Sequence, residues 1–247
     1  MSPDTRFELT RAIAENQLVL HYQPIVSVAG RKLVAVEALV RWRHPTRGIL
    51  PPSEFVPAIE RAGLARELTL WVLREAILQA AVWKTDREPL SVGVNLSAEN
   101  LRDAQFRRFL DITLRAVGGP ELLIAELPAA MLTSPEQLES LELMRKKGIR
   151  VAIDDVTTPA QLADVSADVV KLGRALVSRL ATNEPALKDA GEIVAAARLL
   201  GRTVTAVGIE DEPTWGRVIA LGCDSAQGYA VSAPLSNAEL DTWRRRQ

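Results

Sequence analysis

Eight apolar runs, each short enough to be a strand, recur along the chain at residues 18–26, 34–42, 91–96, 122–127, 150–156, 169–172, 204–209 and 225–230. Segments of helical period lie between most of them, at 67–83, 104–117, 136–147, 186–200 and 212–221. Strand and helix alternating in this way predict an α/β fold, a (β/α)8 TIM-like barrel. Only residues 27–33 separate the first two runs, too few for a crossover helix, so that pair is expected to be antiparallel around a turn at Gly30. Pro51 and Pro52 break the chain before Ser53, read as the cap of a helix toward Arg61, and Ser134 with Pro135 reads as a cap and first-turn proline. Gly118, Gly119, Gly148 and Gly201 stand where helices should stop. With 247 residues, 47% of them hydrophobic, the chain can bury one large core, and residues 1–247 read as a single domain.

The runs share a second property: polar residues stand at their ends. Glu37 sits in VEALVRW, Asn95 in SVGVNL, Glu126 in LLIAEL, Asp154 and Asp155 in RVAIDDV, Lys171 in VVKL and Gln227 in SAQGYA. An ionised carboxylate inside an apolar run needs a cation or a fixed donor beside it. In a barrel the carboxyl ends of the strands gather on one face, where barrels of this class carry their chemistry. Glu37, Asn95, Glu126 and Asp154 would offer an oxygen set suited to Mg2+ or Mn2+, and Asp155 could help a second ion sit beside the first. Two such ions act on a phosphodiester, with Lys171 adding positive charge and Arg41 able to hold a phosphate oxygen bidentately. Each residue alone has a blander reading. An Asp-Asp pair often opens a loop, and Asn95 or Ser97 could cap a helix. Five strand ends bearing compatible groups are harder to explain that way.

Charge and composition exclude several classes. A net charge of −1 and a pI near 6.2 give no broad positive field for a nucleic acid polymer. Cys223 is the only cysteine, which rules out an intrachain disulfide and fits a reducing compartment. The amino-terminal segment lacks a signal-like apolar core and no run reaches the ~20 apolar residues of a membrane span, so the chain reads as cytoplasmic and not membrane-bound. With His21 and His44 as the only histidines, zinc chemistry is not expected. Trp71 and Trp83 read as core residues, Trp215 carries no legible role, and the basic tail 243–246 reads as a solvated helix end.

The ordered motifs HYQPIVSV, EALVRWRHPTRGILPPSEFVP, WVLREAILQAAVW, VNLSAENL, AIDDV, DVVKL and LGCDSAQGYAVSAPL, running from about Phe7 to Trp243, resemble the EAL domain, the family of cyclic di-GMP phosphodiesterases and their degenerate receptor relatives. The resemblance implies a barrel with one antiparallel strand, cyclic di-GMP as ligand and its linear dinucleotide as product. By position Glu37, Asn95, Glu126 and Asp154 resemble the family's first-metal ligands and Asp155 a second-metal ligand. Lys171 resembles the lysine that orients water. Gln23, Leu39, Arg41, Gln227 and Pro234 make up the implied ligand-binding set, and homodimerisation is implied because family members often pair.

The chain also departs from that pattern. The family's AEGVE reads AVGIE, putting Val207 where a second-metal or general-base glutamate is expected; Glu210 remains three residues later and would have to serve if turnover survived. DDFGTGYSSL reads DDVTTPAQL, one residue shorter and without its glycines. EITES reads ELPAA, replacing a glutamate with Ala129, while Gly173 replaces the aspartate of KID and Ala233 an arginine before Pro234. The leading expectation is a degenerate EAL domain that binds cyclic di-GMP, hydrolyses it weakly or not at all, and signals through an unknown partner protein. Two alternatives stand beside it: an active metal-dependent phosphodiesterase using Asp155, Lys171 and Glu210, and a protein-interaction regulator that binds no nucleotide.

Overall fold

The computed structural model describes residues 3–84, 89–117 and 119–246. A helix, α1 (Pro3–Ala14), precedes β1 (Leu18–Ser27) and β2 (Leu33–His44), and a short β3 (Gly48–Leu50) follows. Then come α2 (Pro52–Arg61), α3 (Ala65–Lys84), β4 (Val92–Asn95), α4 (Ala98–Arg102), α5 (Ala104–Val117), β5 (Leu123–Pro128), α6 (Pro135–Lys146) and β6 (Arg150–Val156). The chain continues through β7 (Val169–Leu172), α7 (Arg174–Val177), α8 (Glu184–Leu199), β8 (Thr203–Val207), α9 (Glu212–Leu221), β9 (Ser225–Gln227) and α10 (Asn237–Arg244).

Strands β2, β4, β5, β6, β7, β8 and β9 lie side by side in parallel, and β1 closes the ring between β9 and β2, antiparallel to both. The barrel with one reversed strand forms as the sequence predicts. The first pair is a hairpin whose register sets Gln23 opposite Glu37. Its turn is closed by the Arg31 N–H donating to the Ser27 carbonyl at 2.9 Å, and Arg31, not Gly30, takes the positive φ of 51°. The extra strand β3 pairs with the far end of β2 outside the barrel. Three residues are too few to carry an alternation that could announce it.

Helix boundaries follow local chemistry, with one correction. Ser53 does not cap α2; the helix begins at Pro52 with Pro51 as its cap residue. Proline's missing N–H and fixed φ suit the first helical position, so the boundary falls one step earlier than a serine cap would set it. At α6 the expected Ser134–Pro135 start holds, and the Gln137 side chain accepts from the Thr133 and Ser134 N–H groups at 2.9 and 3.0 Å. Gly148 and Gly201 end α6 and α8 at φ 86° and 68°; Gly118 lies outside the described residues.

The helices bury one face against the barrel. On α3 this face is Leu68, Val72, Leu73, Ala76, Ile77, Ala80 and Trp83, and on α5 it is Phe106, Leu110 and Leu114. Trp83 is core as expected, edge-on to Tyr22 at 4.9 Å, whereas Trp71 is only half-buried. Trp215 acquires a role that the sequence did not show: the Arg31 guanidinium lies 4.2 Å from its ring centre. Among the described residues no helix is long and apolar enough to cross a membrane.

Candidate active site

Inside the barrel, strand side chains alternate inward and outward, so residues two apart on one strand share the interior. This periodicity puts Glu37 of β2, Glu126 of β5 and Lys171 of β7 at one level, joined by Gln227 of β9 and Gln23 of the reversed strand. The Lys171 ammonium lies 2.5 Å from Glu126 Oε2, 3.1 Å from Glu37 Oε2 and 3.9 Å from Asp154 Oδ2. All three charged groups of the tighter cluster are buried, with Lys171 and Glu126 at 1% exposure and Glu37 at 7%. Asn95 donates to Glu37 Oε1 at 2.7 Å, and Gln227 donates to Glu37 Oε2 at 2.8 Å and to Gln23 Oε1 at 3.0 Å. Gln23 in turn donates to the Ser232 carbonyl at 3.1 Å. The cap reading at the end of β4 is also satisfied, by Ser97, which accepts from the Asn100 N–H.

The acids of this cluster are held at different levels of acidity. Burial alone would raise Glu37, but Lys171 and the amides of Gln227 and Asn95 outweigh it and hold this carboxyl below the ordinary range. Glu126 is pushed up to about 8 by burial, with the charges of Glu37 and Asp154 adding to the rise against the pull of Lys171. Asp154 is raised as well, first by burial. Lys171 sits above its usual value because three carboxylates overcome its desolvation. One ammonium therefore faces three carboxyl groups, and the excess of negative charge is what a divalent cation would neutralise. The donor chemistry fits an oxygen-liganded ion. As they stand, the carboxyls close on Lys171, and among the described residues no set of three acids is drawn into a metal cage.

Glycine at 93 makes this packing possible. A Cβ there would fall inside the Glu126 carboxyl group. Glu126 is buried and tied to Lys171, so moving aside for that Cβ would loosen this pair. Gly93→Ala is expected to lower stability by about 1–3 kcal/mol in denaturant titration. Unchanged stability would mean that Glu126 reorients freely.

Toward the mouth, a cavity of about 310 Å3 is lined by Gln23, Leu39, Arg41, Gln227 and Pro234, the whole expected ligand-binding set, and by Glu37, Asp154, Lys171 and Glu210. Val207 also lies on its wall. Glu210 is half committed elsewhere, 2.5 Å from the Arg174 guanidinium. Arg174 and Tyr229 also line the mouth and were not singled out from sequence. A cation three residues beyond Lys171 was the available signal. Arg174 crosses Gly208, whose φ of 83° and bare Cα leave room for the side chain.

Asp155 is not brought into this cavity. Its backbone takes φ 53°, its N–H donates to Asp154 Oδ1 at 2.8 Å, and its carboxyl lies over Gly173, where any side chain would collide with it. The missing side chain at Gly173 is thus the space into which Asp155 turns.

Comparison with known proteins follows the same lines. A family model described as EAL domain matches residues 6–234. A cyclic di-GMP phosphodiesterase of Pseudomonas aeruginosa is 34% identical over 251 residues, covering 96% of this chain and 42% of that protein. A signaling protein of Caulobacter vibrioides is 32% identical over 243 residues, covering 96% of this chain and 30% of that protein. The chain thus spans less than half the length of these two relatives. Among solved structures, the PaMucR phosphodiesterase in complex with c-di-GMP superposes with a TM-score of 0.89 at 31% identity, over 96% of this chain and 99% of that one. The Xanthomonas citri FimX EAL domain, also in complex with c-diGMP, gives a TM-score of 0.87 at 20% identity over 95% of each chain, a likeness of fold. A match that spans the barrel, together with motif residues that meet at its mouth, settles the lineage: the chain belongs to the EAL domain family.

Proposed function

We propose that this EAL domain binds cyclic di-GMP in the 310 Å3 cavity, leaves it largely intact, and conveys its occupancy to a partner protein. The observation that carries this reading is the division inside the site. The residues expected to touch nucleotide share one cavity, while Val207 brings no carboxylate to it and Asp155 is turned onto Gly173. Arg41 is half-buried, and one of its N–H groups donates to the Val40 carbonyl at 2.9 Å, leaving others for a phosphate. Glu37, Asn95, Glu126 and Asp154 would hold a divalent cation, Mg2+ or Mn2+, which when bound polarises a phosphoryl oxygen and acidifies water. Lys171 steadies the acids around it, and its tight pairing with Glu126 keeps it from acting alone on a water.

The test is calorimetric titration with cyclic di-GMP in Mg2+, followed by analysis of the recovered nucleotide. Saturable heat with intact nucleotide supports a receptor; the linear dinucleotide at rates typical of active members would sink the proposal in favour of a phosphodiesterase. Neither heat nor product would favour the interaction module. Arg41→Ala is expected to weaken binding by about 10- to 100-fold, the loss of charge-assisted hydrogen bonds to phosphate. Unaltered affinity would remove Arg41 from the binding set.

A further inference from the structure

The barrel is open at its other end. A second cavity, of about 230 Å3, enters between the amino ends of the parallel strands and reaches up to Glu126 and Lys171. Barrels of this class usually fill that space with bulky branched side chains. Here the interior below the ion pair includes Ala35, Ala152 and Gly93 beside Ile25 and Ile124, and the room saved at Gly93 goes to Glu126. What remains is a chamber with apolar walls from Ile25, Ala35, Ile124, Ala152 and Val169 and a hydroxyl pair, Thr205 and Ser225, 2.7 Å apart.

One charged group on the chamber rim lacks a hydrogen-bond partner. Arg150, the first residue of β6, lines the chamber and is half-buried, and among the described residues its guanidinium donates no hydrogen bond. The nearby charge, Asp168, is already engaged: Oδ1 accepts from Arg145 at 2.8 and 3.0 Å and Oδ2 accepts from the Val151 N–H at 2.9 Å. A partly desolvated guanidinium with unused donors, beside a chamber with apolar walls from Ile25, Ala35, Ile124, Ala152 and Val169, is complementary to an anion with an apolar tail. We propose that the barrel floor is a second ligand site that takes a small monocarboxylate, its carboxylate on Arg150 and its short apolar tail in the chamber. At 230 Å3 the chamber is smaller than the ~300–1,000 Å3 typical of pockets for drug-sized ligands, so the tail is short. Asp224, on the same rim with Oδ2 accepting from the Val204 N–H at 2.7 Å, selects against a second negative charge. The chamber and the nucleotide cavity lie on opposite sides of Lys171, which lines both, and this site does not depend on the proposal made for the nucleotide cavity.

The experiment is a methyl NMR titration of the whole chain with butyrate, read at the Ile25 and Ile124 methyl groups that line the chamber. Saturable shifts are expected, with at least about tenfold weaker binding for butyramide, which has the same shape and no charge. Arg150→Gln is expected to weaken butyrate to the same degree, while Arg150→Lys retains part of the affinity. An absence of saturable shifts, or equal affinity for butyrate and butyramide, overturns the site; the second comparison needs no variant and so survives a failure of Arg150→Gln to fold.

Discussion

Lys171→Met is expected to lower the unfolding free energy by about 3–5 kcal/mol in chelator-treated protein, and millimolar Mg2+ to return part of the loss. Methionine fills nearly the same volume, so the change isolates the charge. Without the ammonium, Glu37 and Glu126 remain buried and Asp154 partly buried, with no other cation of the described residues within 4 Å. Glu126 already stands at about 8 with Lys171 present and would rise further, so protonation limits the loss near neutral pH. That limit is why the expected effect stays near the usual range for a broken buried pair. Equal stability of variant and parent in urea would mean that solvent reaches the acids, and the cluster would not be the electrostatic unit described above. Stabilisation by Mg2+ in the variant but not by added KCl at matched ionic strength would identify the acids as the binding groups.

The double change Val207→Glu with Gly173→Asp is expected to raise metal-dependent release of the linear dinucleotide about 100-fold or more over the parent chain. Val207→Glu alone is expected to give a smaller gain. The reason is spatial: a carboxylate at 207 enters the cavity, but Asp155 still lies over Gly173. A side chain at 173 cannot share that space and turns Asp155 out of it. Product formation followed by chromatography decides the matter. A full gain from the single change would show that Asp155 is already competent, and no gain from either would place the fault in the shortened Thr157–Thr158–Pro159 loop.

Much of the barrel was legible because each strand is a local event. A short apolar run ending in a polar residue needs no distant partner to be recognised, and the seven-residue gap before β2 dictated the reversed strand. The meeting of Glu37, Asn95, Glu126, Asp154 and Lys171 followed from the rule that strand ends converge. What escaped was set by contacts between remote residues. Asp155 turns aside because position 173 lacks a side chain, 18 positions away, and Glu210 is held by Arg174 across the mouth. Arg150 looked like the unremarkable start of a strand until the barrel closed around it. The strand β3 was missed for the opposite reason, being too short to show a period at all.

The reversal of β1 decides how the barrel can be moved from outside. Leu18, at the start of β1, pairs with Trp42 near the carboxyl end of β2, so the chain enters the barrel on the same side as the cavity mouth. Helix α1 is tied to that side, with Glu8 3.2 Å from the His44 ring at the end of β2. Five residues beyond the entry point, Gln23 meets the Gln227 and Glu37 network. The single strand β1 therefore joins α1 to Gln23 on the cavity wall, with no other element between them along the chain.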